Sequence, residues 1–288
     1  MRVLVLGASG MLGNAMVRVV SEKKDWQVFG TLRSEVAKRF FSPSVARNLR
    51  TNVDVYKHDD IVHVIGQIRP DVVINCIGLI KHQKGVNDPL STILVNALLP
   101  HRLAELCVVA GARLVHISTD CVFSGVKGLY TEDDPADAID GYGKSKFLGE
   151  VIGASAITLR TSIIGHELQS SYSLLEWFLS QEGKCKGFSR AFFSGLPTTV
   201  LAEIVRDVVI PRPDLSGLYH VGASPISKYD LLCLIARVYG KSIDIEPDDQ
   251  FMIDRSLNSQ RFSSATGYVA PAWPELIKSM YAHHQRTN

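Results

Sequence analysis

Glycine recurs at every third position in Gly7-Ala8-Ser9-Gly10-Met11-Leu12-Gly13, directly after the apolar run Val3-Leu4-Val5-Leu6. A strand that turns sharply into a helix needs residues without a Cβ at the bend. The helix start then presents unpaired N–H groups and the positive end of its dipole. The motif alone is a weak signal, but with a strand before it and a helix after it, at residue seven, it is the setting of a dinucleotide-binding turn.

The rest of the chain keeps the same rhythm. Val28 to Leu32, Val72 to Ile77, Leu114 to Ile117 and Ile157 to Leu159 are short apolar runs suited to buried strands. Between them the spacing predicts helices over Met11 to Glu22, Ile61 to Ile68, Pro89 to Ala110 and Tyr142 to Ile152, with a kink at Pro100. Strands alternating with helices imply an α/β, doubly wound parallel sheet of Rossmann type over residues 1–165, with a returning strand near 216–222. Residues 166–288 are expected to form mainly a smaller substrate-binding lobe. Within it His166 to Ser194 reads as helix plus loop, Ser227 to Tyr239 as an amphipathic helix stopped by Gly240, Asp244 to Ser264 as polar and irregular, and Trp273 to Tyr281 as a closing helix.

Tyr142 and Lys146 stand four residues apart, so a helix would place them on one face about 6 Å apart. A cation beside a phenol favours the phenolate and moves the group toward the neutral range useful to a general acid. A solvated helix face carrying the same two residues is the alternative. Ser118-Thr119-Asp120 follows Leu114-Val115-His116-Ile117, at the carboxyl end of a central strand where such sheets bind ligands. A hydroxyl there can hold a substrate oxygen while Tyr142 protonates it. The second strand ends Thr31-Leu32-Arg33-Ser34, with no carboxylate for a ribose and with an arginine able to grip a 2′-phosphate, which favours NADPH with NADH as the alternative.

A formal charge of +2 with scattered Lys and Arg argues against a nucleic-acid surface. Five widely spaced cysteines without metal-binding spacing read as free thiols in a reducing compartment, and no metal is expected; His283 and His284 are expected to be exposed. The apolar run at the N-terminus is too short for a signal peptide or membrane span, so a cytoplasmic protein without a membrane partner is expected.

Taken together, Gly7-x-x-Gly10-x-x-Gly13, Asp54-Val55, Arg69-Pro70-Asp71-Val72-Val73-Ile74-Asn75, Asn96, Ser118 to Gly125, Tyr142 to Lys146, Gly149-Glu150 and Leu159-Arg160-Thr161-Ser162 resemble the dTDP-4-dehydrorhamnose reductase family. The glycine spacing is similar to that of extended short-chain dehydrogenases. The resemblance implies NAD(P)H-dependent reduction of the C4 ketone of a nucleotide-linked 6-deoxy sugar, the nucleotide sugar being the partner. It implies Gly10, Met11 and Leu12 at the pyrophosphate, Asp54 and Val55 at the adenine, and Gly78, Leu79 and Ile80 along the inner cofactor. It also implies Thr119 and Asp120 at the sugar, Tyr142 as proton donor, and Lys146 at the nicotinamide ribose. The candidate cofactor set is completed by Gly7, Ser9, Gly13, Thr31, Arg33, Cys76 and Ile117. The candidate substrate set is completed by Cys121, Ile163 and Arg255, the last as a partner for the substrate diphosphate.

Two departures bear on the substrate: where the family usually has aromatics, this chain has Cys121 and Ile163. The pocket is therefore expected to be reshaped, for instance for an N-acetylated sugar on UDP. Rival readings are a sugar-nucleotide epimerase or dehydratase on the same fold, and a cofactor-binding regulatory subunit similar to the beta subunit of methionine adenosyltransferase. Asp120 is followed by Cys121 rather than the Glu of dehydratases, and Arg33 does not suit an NAD-retaining epimerase. The oligomeric state stays open, a homodimer being one option.

Overall fold

The structure, a computed structural model, describes residues 1–79, 88–168 and 171–287. Strand β1 (Arg2–Leu6) leads through α1 (Met11–Val20) to β2 (Gln27–Thr31), then past α2 (Pro43–Ala46) to the short β3 (Leu49–Arg50). Helix α3 (His58–Ile68), β4 (Val72–Asn75), α4 (Pro89–Thr92) and α5 (Leu99–Ala110) follow, then β5 (Arg113–Thr119), α6 (Gly141–Leu148) and β6 (Ala156–Thr161). The sequence order continues with β7 (Ile163–Ile164), α7 (Leu174–Ser180), β8 (Lys184–Phe188), β9 (Ala191–Phe193), β10 (Leu196–Pro197), α8 (Thr198–Ile204) and β11 (Gly217–His220). It ends with β12 (Ile226–Ser227), α9 (Lys228–Tyr239), β13 (Asp244–Asp248), β14 (Ile253–Asp254), α10 (Gln260–Thr266) and α11 (Trp273–Thr287).

Seven strands pair in the order β11-β6-β5-β4-β1-β2-β3, all parallel, so the strand order reverses between β1 and β4. Ligands of doubly wound sheets bind at the carboxyl ends of the strands at such a reversal. Side chains on a strand alternate in direction, and β1 shows the consequence. Val3 and Val5 enter a core with Leu12, Met16 and Val17 of α1, Leu201 of α8 and Ile277 of α11. Leu4 and Leu6 enter the opposite core with Ile61, Val64 and Ile65 of α3 and Leu103 and Cys107 of α5.

The expected elements before residue 165 are present with shifted ends: β5, β6 and α3 run beyond the expected spans, while α1 and α6 stop short of theirs. The feature expected as a kink at Pro100 takes the form of a π-helical turn, Ile93–Leu98, just ahead of the proline. Proline has no N–H to give the carbonyl four residues back, that of Asn96. Gly149 packs against that carbonyl so closely that a Cβ there would lie 1.9 Å from the Asn96 oxygen.

Two expectations for the later residues need correction. The span His166 to Ser194 holds strands β8 and β9 besides a helix, and Asp244 to Ser264 holds β13, β14 and α10. These strands pair as β8 with β13, and as β12-β9-β14. The helix expected from Ser227 is present as α9, with Ser227 accepting from Asp230 N–H and Gly240 left-handed at its end.

Candidate active site

The glycines of the first turn carry different loads. Gly7 has φ +83°, where a side chain would be strained, and its N–H donates to Thr31 Oγ1 at 3.1 Å. Gly13 lies against the turn itself, since a Cβ there would sit 2.0 Å from the Gly7 carbonyl oxygen. Gly10 caps α1 in extended conformation without a side-chain cap, and beside exposed Ser9 it leaves the helix N-terminus open. Met11 is half-buried, and Leu12 is buried on the core side. Thr31 is buried as the tie that holds Gly7, whereas Arg33, two residues on, is exposed with no hydrogen bond or ion pair in the described structure.

Asp54 and Val55 are half-buried in the turn before α3, where Asp54 Oδ1 accepts from Tyr56 N–H at 3.1 Å. Cys76 and Gly78 continue from the end of β4, and burial pushes the Cys76 thiol up to about 12, so it stays protonated and inert. Leu79 is clamped on both backbone groups by Asn96: its N–H donates to Asn96 Oδ1 at 2.8 Å, and its carbonyl accepts from Asn96 Nδ2 at 3.1 Å. Ile80 lies outside the described residues.

Asn96 Nδ2 also donates to Ser145 Oγ at 3.2 Å, joining the loop after β4 to helix α6. Sequence reasoning assigned Asn96 no role. The signal was there: a polar residue inside the long apolar helical run Pro89 to Ala110, where burial requires partners.

Helix α6 starts at Asp140, whose side chain accepts from Gly143 N–H, and it presents Tyr142 and Lys146 to the carboxyl end of β5. Lys146 is buried and donates from Nζ to the Ile117 carbonyl at 2.9 Å, beneath Gly78. Burial lowers its ammonium to about 8, with Glu150 and then Cys76 opposing the shift. Tyr142 is half-buried and hydrogen-bonds Thr119.

The expectation that Lys146 draws the phenol toward neutrality is corrected. The Tyr142 phenol is raised above its ordinary value, first by burial and then by the Cys121 and Asp120 side chains, while Lys146 points to Ile117. Desolvation penalises the phenolate more than the bond from Thr119 rewards it.

Thr119 is buried at the end of β5, donating to Asp120 Oδ1 at 3.1 Å and accepting from Cys121 N–H at 3.2 Å. Asp120 is buried, and burial raises its carboxyl against the pull of Arg255. Cys121 is half-buried, as is Ile163 on β7. Arg255, following β14, donates from Nε to the Phe123 carbonyl at 2.8 Å and from Nη1 to Cys121 Sγ at 3.8 Å, making no pair with its neighbour Asp254. Lys228, at the first turn of α9, also faces Asp120, Cys121 and Arg255. No sequence pattern marked it, because its place is fixed only by the pairing of β12 with β9.

Beneath this constellation lies a buried ion pair. Arg160 donates to both oxygens of Glu150, each at 2.7 Å, and Ser118 Oγ donates to Glu150 Oε1 at 2.7 Å. Arg160 Nη1 also contacts His220 Nε2 at 3.3 Å, and burial lowers that imidazole to about 3, keeping it neutral.

A separate cavity of about 80 Å³ sits between α1 and α11, lined by Asn14, Arg18, His166, Thr199, His283 and His284 among others, and none of Thr119, Tyr142 and Lys146 borders it. It corrects the expectation for the two C-terminal histidines: both are half-buried, and His284 stacks on His166 with ring centroids 3.6 Å apart. Among the described residues no cluster of His, Cys, Asp or Glu is arranged to hold a metal.

The fold is shared with a crystal structure of a dTDP-4-dehydrorhamnose reductase from Clostridium acetobutylicum, with TM-score 0.80 and 22% identity over 99% of this chain and 100% of that one. Among curated proteins, a dTDP-4-dehydrorhamnose reductase of Aggregatibacter actinomycetemcomitans is 26% identical over 245 residues, covering 81% of this chain and 78% of its own length. The methionine adenosyltransferase 2 subunit beta of Xenopus tropicalis is 25% identical over 261 residues, covering 83% and 72%. The family described as the RmlD substrate binding domain matches residues 1–285. The chain therefore belongs to the RmlD substrate binding domain family, a family of NAD(P)-dependent reductases on the extended short-chain dehydrogenase fold.

Proposed function

We propose that this protein reduces the C4 ketone of a nucleotide-linked 4-keto-6-deoxy sugar with NADPH, in sugar-nucleotide biosynthesis for surface polysaccharide in the cytoplasm. The observation that carries the reading is the Tyr142 phenol, kept protonated by burial and hydrogen-bonded to Thr119 at the carboxyl end of β5. Bound NADPH supplies the hydride. Tyr142 gives its proton to the ketone oxygen as that oxygen gains charge, and Thr119, its hydroxyl turning from Asp120, donates a hydrogen bond to the same oxygen. Lys146 serves the nicotinamide ribose from beneath Gly78. The unpaired Arg33 at the end of β2 favours the 2′-phosphate of NADPH over NADH.

Asp120, Cys121, Ile163 and Arg255 line the sugar side, with Arg255 toward the diphosphate. Cys121 and Ile163 leave more room than aromatic side chains would, which supports a substrate other than dTDP-4-dehydrorhamnose, such as an N-acetylated sugar on UDP. The test is NADPH oxidation with freshly made 4-keto-6-deoxy products of dTDP-, UDP- and GDP-sugar dehydratases. Turnover with one of them is expected.

The similarity to methionine adenosyltransferase beta subunits favours a second reading, a cofactor-binding regulatory subunit. Retention of Tyr142 and Lys146 in one buried constellation weighs against it. NADPH binding without turnover on any keto-sugar nucleotide would promote it.

A further inference from the structure

Two cations of the C-terminal lobe approach the sugar side from the two strands that flank β9. Strand β9 lies between β12 and β14, and Phe192 is in register with Ser227 on one side and Asp254 on the other. Because β12 runs antiparallel and β14 parallel to β9, Lys228 continues on the Ala191 side of that row and Arg255 on the Phe193 side, so their backbones are two strand spacings, about 9–10 Å, apart across the sheet and ~7 Å apart along it. Arg255 is pinned over the site by the Phe123 carbonyl and the Cys121 thiol. Lys228 shares its charged neighbourhood, Asp120, Cys121 and Arg255.

Neither cation has a carboxylate within ion-pair distance in the described structure, and the Lys228 ammonium makes no hydrogen bond there. The nearby anions are poor compensation. Asp120 is buried with its carboxyl raised, and Asp137 already accepts from both N–H and Oγ of Ser124. Partial burial lowers the Lys228 ammonium, a sign that its surroundings do not repay lost hydration. A half-buried, unpaired ammonium next to a guanidinium is an arrangement that an anionic ligand completes.

In a nucleoside-diphosphate-linked 4-keto-6-deoxy sugar the anionic group is the diphosphate. We propose that Lys228 is a substrate-binding residue, the second arm of a two-cation clamp with Arg255 that grips the nucleoside diphosphate and thereby sets how the sugar is presented to Tyr142. The inference rests on the nucleotide-sugar reading. Arg255 offers the directional fork, and Lys228 a point charge that follows the second phosphate.

The test is calorimetric titration of the full-length protein with UDP, dTDP and GDP, each beside its nucleoside, and with NADPH. At least one nucleoside diphosphate is expected to bind wild type tenfold or more tighter than its nucleoside. Lys228→Met should weaken that diphosphate about tenfold while leaving nucleoside and NADPH binding unchanged, and Lys228→Arg should retain most of the affinity. Diphosphate affinity equal to wild type in Lys228→Met overturns the clamp while leaving the reductase reading intact. Failure of wild type to bind any of the three diphosphates overturns the nucleotide-sugar reading as well. If Lys228→Met also loses NADPH binding and melts early, Lys228→Gln decides by the same comparison.

Discussion

Tyr142 and Lys146 are set by the same force in opposite directions: burial disfavours the charged form of each, raising the phenol and lowering the ammonium to about 8. The phenol is thus a proton reservoir across the neutral range, and the ammonium is the group that titrates first. Turnover is expected to fall as pH rises through about 8, where Lys146 loses its proton, and to show no acid-side loss from Tyr142. A pH–rate profile checks this, and Lys146→Arg should move the alkaline limb upward. Tyr142→Phe is expected to keep NADPH binding and lose at least about 10²-fold in turnover.

The linkage of Lys146 to stability follows from the same shift. The folded state releases the lysine proton near 8 and the unfolded chain near its ordinary value, so the folding penalty is complete below pH 8 and fades as pH rises toward that value. Lys146→Met should therefore abolish turnover yet melt ~2–4 °C higher at pH 7 for each kcal/mol relieved. A lower melting temperature in that variant would contradict the burial argument. The pair itself was legible from four-residue spacing. The pKa of the phenol was not, because desolvation depends on what covers α6 rather than on what lies along it.

At the scale of elements, the junction of α5, α6 and the loop after β4 is held by one side chain. Asn96→Ala leaves both backbone groups of Leu79 without their side-chain partner and Ser145 without a donor. It is expected to cost about 1–3 kcal/mol and to weaken NADPH binding more than its distance from the first glycine turn suggests. Denaturant melts and a cofactor titration measure the two effects separately. Gly149→Ala, whose Cβ would meet the Asn96 carbonyl at 1.9 Å, should disturb the same junction from the other side.

The parallel units before residue 165 were legible because each buried strand is a short apolar run and each helix a longer periodic one. Strands β9, β12 and β14 were not. They span two or three residues, too few for any period to register, and their partners are distant in sequence. Lys228 was invisible for that reason, while the first glycine turn and Thr119 could be placed from local pattern alone.

The whole molecule is tied together below the site by Glu150, Arg160 and His220, which link the end of α6 to β6 and β11. Removing one partner strands a buried charge, so Arg160→Met is expected to cost about 3–5 kcal/mol in an equilibrium unfolding experiment. His116 and His220 are both kept neutral by burial, with lowered pKa values. The unfolded chain takes up protons below its ordinary histidine value while the folded protein does not until about 3 at His220. Stability should therefore decline as pH falls from about 6.5 toward 3. Melts across that range test it, and His220→Asn should flatten the decline.

The proposed reaction brings a hydride from NADPH and a proton from Tyr142 to a sugar ketone. The direct test is stereospecifically deuterated NADPH with freshly generated 4-keto-6-deoxy sugar nucleotides, following nicotinamide oxidation and the position of deuterium in the product. Stoichiometric oxidation with one deuterium at C4 is expected when the label is on the transferred face, at a rate reduced at least ~10²-fold in Tyr142→Phe. Cofactor that binds but is never oxidised by any of these sugars, or deuterium at another carbon, would contradict it.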